Sequence, residues 1–120
     1  MHLVRTFGLG RIGVKVVLFR IRLRDDIDAA AYQATFERMF ELVSALPGFR
    51  GIEGFTGEDG SELAVARFDS DEAIAEWKRH PEHLAAQERA RNEFFASYEL
   101  TVADVGREYQ WSRPADELTA

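Results

Sequence analysis

Residues 77–98 read WKRHPEHLAAQERARNEFFASY, and the rest of the chain is placed outward from this stretch. Pro81 suits the first turn of a helix, where its missing N–H costs nothing, and it holds His80 in an extended conformation suited to a cap. A new helix is therefore expected near Pro81, broken from a shorter one that carries Trp77. At about 100° per residue, Leu84, Phe94, Phe95 and Tyr98 fall on one side, and Glu82, Arg89, Asn92 and Glu93 fall on the other. His83, Gln87 and Arg91, spaced by four, share the apolar side. Unpaired buried polar groups cost about 1–3 kcal/mol each, so such a stripe has to bond to protein, water or a ligand. Two readings stay open. One is a set of structural hydrogen bonds or a dimer contact; the other is the wall of a small-molecule pocket, lined by Trp77, Phe94 and Tyr98.

Upstream, Val14 to Arg24 has the pattern of a strand in which Phe19, Ile21 and Leu23 alternate with Arg20, Arg22 and Arg24, so one face is buried and one polar. Asp25, Asp26 and Asp28 supply acidic and capping groups for a helix start. Tyr32, Phe36, Met39, Phe40, Val43 and Leu46 then recur at three- and four-residue steps until Pro47-Gly48 stops the helix. Phe49 to Thr56 is a short strand interrupted by glycines, which allow close backbone approach or leave room beside a ligand. Gly57 to Gly60 is a turn, and Glu62 to Phe68 is the returning strand of a hairpin. Asp69 to Glu72 opens the next helix, whose inner side is Ala73, Ile74 and Trp77. Beyond Tyr98, Leu100 to Trp111 is expected as the last strand, with a bulge at Gly106. This order is the βαββαβ ferredoxin-like plan, an α+β fold with a four-stranded antiparallel sheet and helices on one face. The bare sheet face calls for a homodimer whose two sheets pack together.

A chain of 120 residues with 46% hydrophobic and 30% charged residues fits one domain with its own core. The expected division is an arm at 1–12, MHLVRTFGLGRI, a domain at 13–111 and a polar tail at 112–120. Cysteine is absent, so no disulfide or thiolate chemistry is available, which fits a cytoplasmic protein. The longest apolar run, Val14 to Phe19, is interrupted by Lys15 and falls far short of the roughly 20 residues that span a bilayer, so no membrane partner is expected. The net charge of −6 argues against nucleic acid. Residues 1–24 nevertheless carry +6, which reads as a solvated or dimer-facing side.

The run of Trp77, HPEH at His80 to His83, Gln87, Arg91 and Tyr98, followed by a strand ending in Tyr109 and Trp111, resembles the antibiotic biosynthesis monooxygenase (ABM) domain family of the dimeric α+β barrel superfamily. The resemblance spans residues 13–111. It implies the ferredoxin-like fold and the homodimer, and among its activities it includes cofactor-independent oxygenation of aromatic polyketides and quinols. No flavin or nucleotide fingerprint is present, since Gly8-Leu9-Gly10 lacks the third glycine and the helix that should follow. The expectation is a monooxygenase with no cofactor, in which an electron-rich small aromatic, quinol or polyketide-like substrate supplies the electrons. In that scheme His83 or Tyr98 manages protons, Arg91 stabilises oxyanion charge, Gln87 orients the substrate, and Trp77 and Phe94 stack on it. The alternative is a non-catalytic or ligand-binding dimer. Haem degradation is the weaker choice: the position ten after Trp77, where that branch carries an iron-binding histidine, is Gln87, and the chain's Asn92 is on a helix rather than the first strand. A metal is not expected, because His80 and His83 make at most two of the three or four ligands needed.

Overall fold

The computed structural model describes residues 13–115; the expected N-terminal arm lies outside the described residues, as does most of the expected C-terminal tail. The elements are β1 (Lys15–Leu23), α1 (Ala29–Ser44), β2 (Phe49–Thr56), β3 (Glu62–Phe68), α2 (Asp71–Arg79), α3 (Pro81–Glu93) and β4 (Phe95–Asp104). All strand pairs are antiparallel and the sheet order is β2-β3-β1-β4, which is the ferredoxin-like arrangement with the first and third strands in the centre.

Local chemistry places the helix starts. Asp28 accepts the Ala31 N–H at 3.0 Å, Ser70 accepts that of Ala73 at 3.1 Å, and His80 accepts that of Glu82 through Nδ1 at 3.1 Å. His80 sits at φ −61°, ψ 124° between α2 and α3, with Pro81 opening α3, as the proline requires. After α1, Gly48 adopts φ +86°, and a Cβ there would lie 2.9 Å from that of Ala73.

Register stacks the helix-side face of the sheet into four rows. They are Tyr98–Ile21–Glu62–Thr56, Leu100–Phe19–Ala64–Gly54, Val102–Val17–Ala66–Ile52 and Asp104–Lys15–Phe68–Phe49. The last two rows carry the packed core, in which Val43, Ala66, Phe68 and Ala73 are buried against Val17, Leu46, Phe49, Ile52, Ile74 and Trp77. Arg20, Arg22 and Arg24 are exposed, as the alternation in β1 predicts.

Three local expectations differ. The last strand runs over Phe95–Asp104 rather than Leu100 to Trp111, so Phe94 caps α3 while Phe95 and Tyr98 belong to the sheet. The bulge expected at Gly106 occurs instead where β4 meets β1, between Arg22 and Leu23, leaving Ala96 as the extra residue. The strand wins over continued helix because β1 offers nine residues of ladder to Phe95–Asp104, and tertiary pairing overrides local periodicity. Finally, the α1 stripe is not wholly buried, because Phe36 and Phe40 remain 43% and 48% exposed.

Candidate functional site

Phe36 and Phe40 are exposed because they stand over a cavity. It has a volume of about 350 Å³ and lies between α1 and the β2 side of the sheet. Its walls include Tyr32, Phe36 and Phe40 from α1, spaced by four so that they share one flank. Its floor is the upper two rows of the sheet, with Ile21, Glu62, Thr56, Ala64 and Gly54, and Ile52 from the row below. Gly54 is paired with Ala64, so two adjacent floor positions project almost nothing. Glu53, Phe55 and Leu63 also line it; strand alternation turns their side chains to the other face, so they meet the cavity through backbone.

The lining is mostly apolar, and its polar side chains on the helix side are Thr56 and the hydrogen-bonded pair Tyr32 and Glu62. Tyr32 donates its hydroxyl hydrogen to Oε2 of Glu62 at 3.2 Å, and no described residue donates to Oε1. Burial, then the Glu62 charge and this hydrogen bond, push the Tyr32 phenol up to about 12, so it remains a protonated donor at neutral pH. Behind it, the Phe94 ring meets the Tyr32 ring edge-on at 5.4 Å. Phe94 is 2% exposed, its N–H bonds Ala90 at 2.9 Å, and its carbonyl accepts the Arg24 N–H at 2.8 Å. It thereby ties the end of α3 to the start of α1.

Of the six residues singled out by sequence, only Phe94 reaches this cavity, and it does so through Tyr32. Trp77 and His83 form a separate unit: their rings stack at 3.9 Å and 12°, and His83 Nδ1 lies 2.9 Å from the Trp77 carbonyl. A carbonyl only accepts, so Nδ1 carries the hydrogen and Nε2 presents its lone pair. Desolvation holds the His83 pKa below its usual value, against the raising effect of the Trp77 carbonyl and with a smaller lowering by His80. Gln87 is half-buried and Arg91 exposed.

The polar stripe is therefore split rather than inward along its length. Arg38 grips Glu82 with two hydrogen bonds of 3.0 and 2.9 Å, fixing one flank of α3 against α1. At about 100° per residue this turns Leu84 and Arg91 to the opposite flank, and Leu84 is 52% exposed rather than inward. Tyr98 is 44% exposed in β4 and touches Phe19 and Phe95.

Sequence reading missed Tyr32 and Glu62 as site residues. Tyr32 has the spacing of a core residue, and its partner is thirty positions away. The available signal was glycine in β2, where Gly54 opens the floor.

The family model for antibiotic biosynthesis monooxygenase matches residues 16–89, from β1 through most of α3. The uncharacterized protein YqjZ of Bacillus subtilis is 42% identical over 77 residues, which cover 64% of this chain and 68% of that protein. SnoaB of Streptomyces nogalater, a cofactor-independent oxygenase, superposes with a TM-score of 0.67 at 15% identity over 80% of this chain and 96% of its own. A dimeric ferredoxin-like protein of unknown function from Thermobifida fusca gives a TM-score of 0.63 at 16% identity, covering 81% and 96%. At those identities the two solved structures speak to the fold alone, whereas the family match spans more than half of the chain; the protein belongs to the antibiotic biosynthesis monooxygenase family.

Proposed function

We propose that the protein is a monooxygenase that uses no cofactor and oxidises a small electron-rich aromatic, of quinol or phenolic polyketide type, in the cavity between α1 and the sheet. The observation that carries this is the cavity itself, whose mostly apolar aromatic lining contains a few convergent polar groups, as small-molecule sites do. Such a lining suits the chemistry. Loss of a hydroxyl proton makes an electron-rich ring a reductant for O₂; a ring C–H ortho or para to that hydroxyl gains one oxygen atom as the ring passes to the quinone level, the second oxygen atom leaves as water with the hydrogens released, and all four electrons come from the substrate. Apolar walls keep water from the reactive intermediate. Fold similarity to an oxygenase and family membership support the reading.

Self-association belongs to the same proposal. The helix-free face of the sheet presents Val16, Leu18, Leu63 and Val65 together with Phe55, and a second copy is the economical cover for it. The described dimeric relative supports this.

One observation favours a second location for the chemistry. The His83 tautomer leaves Nε2 free to accept a proton beside the Trp77 ring, with Gln87 one turn further along α3 and Arg91 one turn beyond it; Tyr98 would then share the proton work.

The test is oxygen uptake by purified protein without added flavin, metal or haem, over a panel of quinols and phenolic polyketides. Uptake above autoxidation that is lost in Ala64→Trp, which fills the cavity floor, is the expected result. Uptake surviving Ala64→Trp but lost in His83→Ala would move the reaction to the Trp77–His83 unit. Uptake indifferent to both, or absent throughout the panel, would leave a binding or structural dimer.

A further inference from the structure

The geometry points to Glu62 as the group that selects the substrate of this cavity, accepting the hydrogen of an uncharged ring hydroxyl and rejecting substrates that carry a carboxylate. This rests on the cavity being the site of the preceding proposal. The lining brings three polar side chains to the helix side of the sheet: the Tyr32 hydroxyl, the Glu62 carboxylate and the Thr56 hydroxyl. None of the described lining residues is Lys, Arg or His. Strand alternation turns the Glu53 side chain to the other face, so the charge that the described residues bring to the helix side of the wall is the Glu62 carboxylate, and no cation among them stands there to pair with an anionic ligand.

Glu62 is held in a particular way. Oε2 is occupied by the Tyr32 hydroxyl at 3.2 Å, while Oε1 accepts from no described residue. Tyr32 is in turn fixed at its edge by Phe94, 5.4 Å between ring centroids. One carboxylate oxygen is thus anchored and the other is left to meet a hydrogen-bond donor. Glu62 shares its sheet row with Ile21 and Thr56 and adjoins the floor opened by Ala64 and Gly54. A flat ring lying on that floor, beneath Phe36 and Phe40, brings a hydroxyl at its rim towards this row. A carboxylate in the same place would face the Glu62 carboxylate, and like charges at such close range are disfavoured.

Glu62 also has the chemistry to act in turnover. The bond that breaks is the substrate O–H, whose proton passes to Oε1, and the electron pair stays on the substrate oxygen, making the ring the electron-rich species that dioxygen oxidises. Tyr32 is a positioning residue: its hydroxyl keeps Glu62 aimed, while its ring forms part of the wall.

The experiment measures binding directly and so does not depend on a turnover assay. Anaerobic dissociation constants are measured by calorimetry for naphthol and for naphthoate, which share a ring system and differ in the group at the rim. Naphthol is expected to bind roughly tenfold more tightly than naphthoate to the wild type, the size of one like-charge penalty at close range. In Glu62→Gln, an isosteric change that removes the charge and keeps an acceptor, the gap should shrink to about threefold or less. Tyr32→Phe should weaken naphthol binding while keeping the discrimination, and it serves as a second variant should Glu62→Gln fold poorly. Equal or tighter binding of naphthoate, a gap unchanged in Glu62→Gln, or binding of neither ligand overturns the assignment. The two proposals fail separately: hydroxyl selection through Glu62 with no oxygen uptake refutes the oxygenase alone, and uptake by a protein that prefers naphthoate refutes the role of Glu62 alone.

Discussion

Phe94→Ala is the sharpest test of how the cavity wall is held. The ring is 2% exposed and is the largest fully buried side chain of the described residues. Removing such a ring costs about 3–5 kcal/mol, from lost transfer energy and the void left behind. The edge contact with Tyr32 belongs within that sum; the Arg89 guanidinium, 5.3 Å from the ring centre, adds little because it is exposed. Against a typical total of about 5–15 kcal/mol, this is a large fraction of the stability of a single domain. Urea unfolding followed by circular dichroism should show a midpoint lower by roughly 2 M with an unchanged slope. A loss below about 1 kcal/mol would mean that the ring is not packed in solution as described, and the support given to Tyr32 would fall with it. Phe94→Leu, a gentler cavity, provides the local readout. In the wild type the Tyr32 phenol is pushed up to about 12, first by burial and then by Glu62; its phenolate absorbance should appear at lower pH once Phe94 no longer shields it. The sign follows from linkage: a folded-state pKa above the unfolded value of 10.0 gives stability that is complete below that value and lost as pH rises through about 12. A phenol that titrates identically in both proteins would refute the coupling.

Two further predictions concern the rest of the helical layer. His83 has its pKa lowered, chiefly by desolvation, so its contribution to stability is present above the usual histidine value and lost as pH falls through the depressed one; imidazole NMR should show His83 protonating below the usual histidine range, and protonation within or above that range would refute the stacked, half-buried placement. Gly48→Ala should cost roughly 2 kcal/mol in thermal or urea unfolding, because φ is +86° and the new methyl would sit 2.9 Å from the Ala73 Cβ, combining backbone strain with a clash between α1's exit and α2. A neutral result there would mean that the α1–β2 turn relaxes freely.

The fold was largely legible because its signals are local. Alternation in β1, the break at Pro81, and the caps at Asp28 and Ser70 each need only a few neighbouring residues. The failure at Phe94–Tyr98 was of a different kind: those aromatics continue the four-residue step of α3, and no glycine or proline marks its end, so periodicity alone carries the helix past Glu93. Only pairing with β1 reveals the strand. The site was harder still. His83, Gln87 and Arg91 share a spacing, but their environments are set by Arg38 gripping Glu82 from another helix, which turns Arg91 outward. Tyr32 and Glu62 meet across thirty positions of sequence. Gly54 was the one visible sign of space.

The position of that space follows from how side-chain volume is distributed over the sheet. In the two lower rows, small Ala66 is flanked by Val17 and Ile52, and Phe68 by Phe49; Val43 and Leu46 from α1 and Ala73, Ile74 and Trp77 from α2 fill the remaining room. The upper rows have no such second helix on the β2 side. There Ala64 and Gly54 lie side by side, and α1 alone covers them with Phe36 and Phe40. Two large rings over two nearly absent side chains bridge the gap without filling it, and a close-packed interior would normally remove such a void. Keeping it forfeits contacts that substituting a larger residue at Ala64 would recover. Ala64→Leu should therefore stabilise the protein if the void is dispensable, and the same substitution should abolish ligand binding if the void is the site. Gain of stability with loss of binding is the outcome that a retained functional cavity demands.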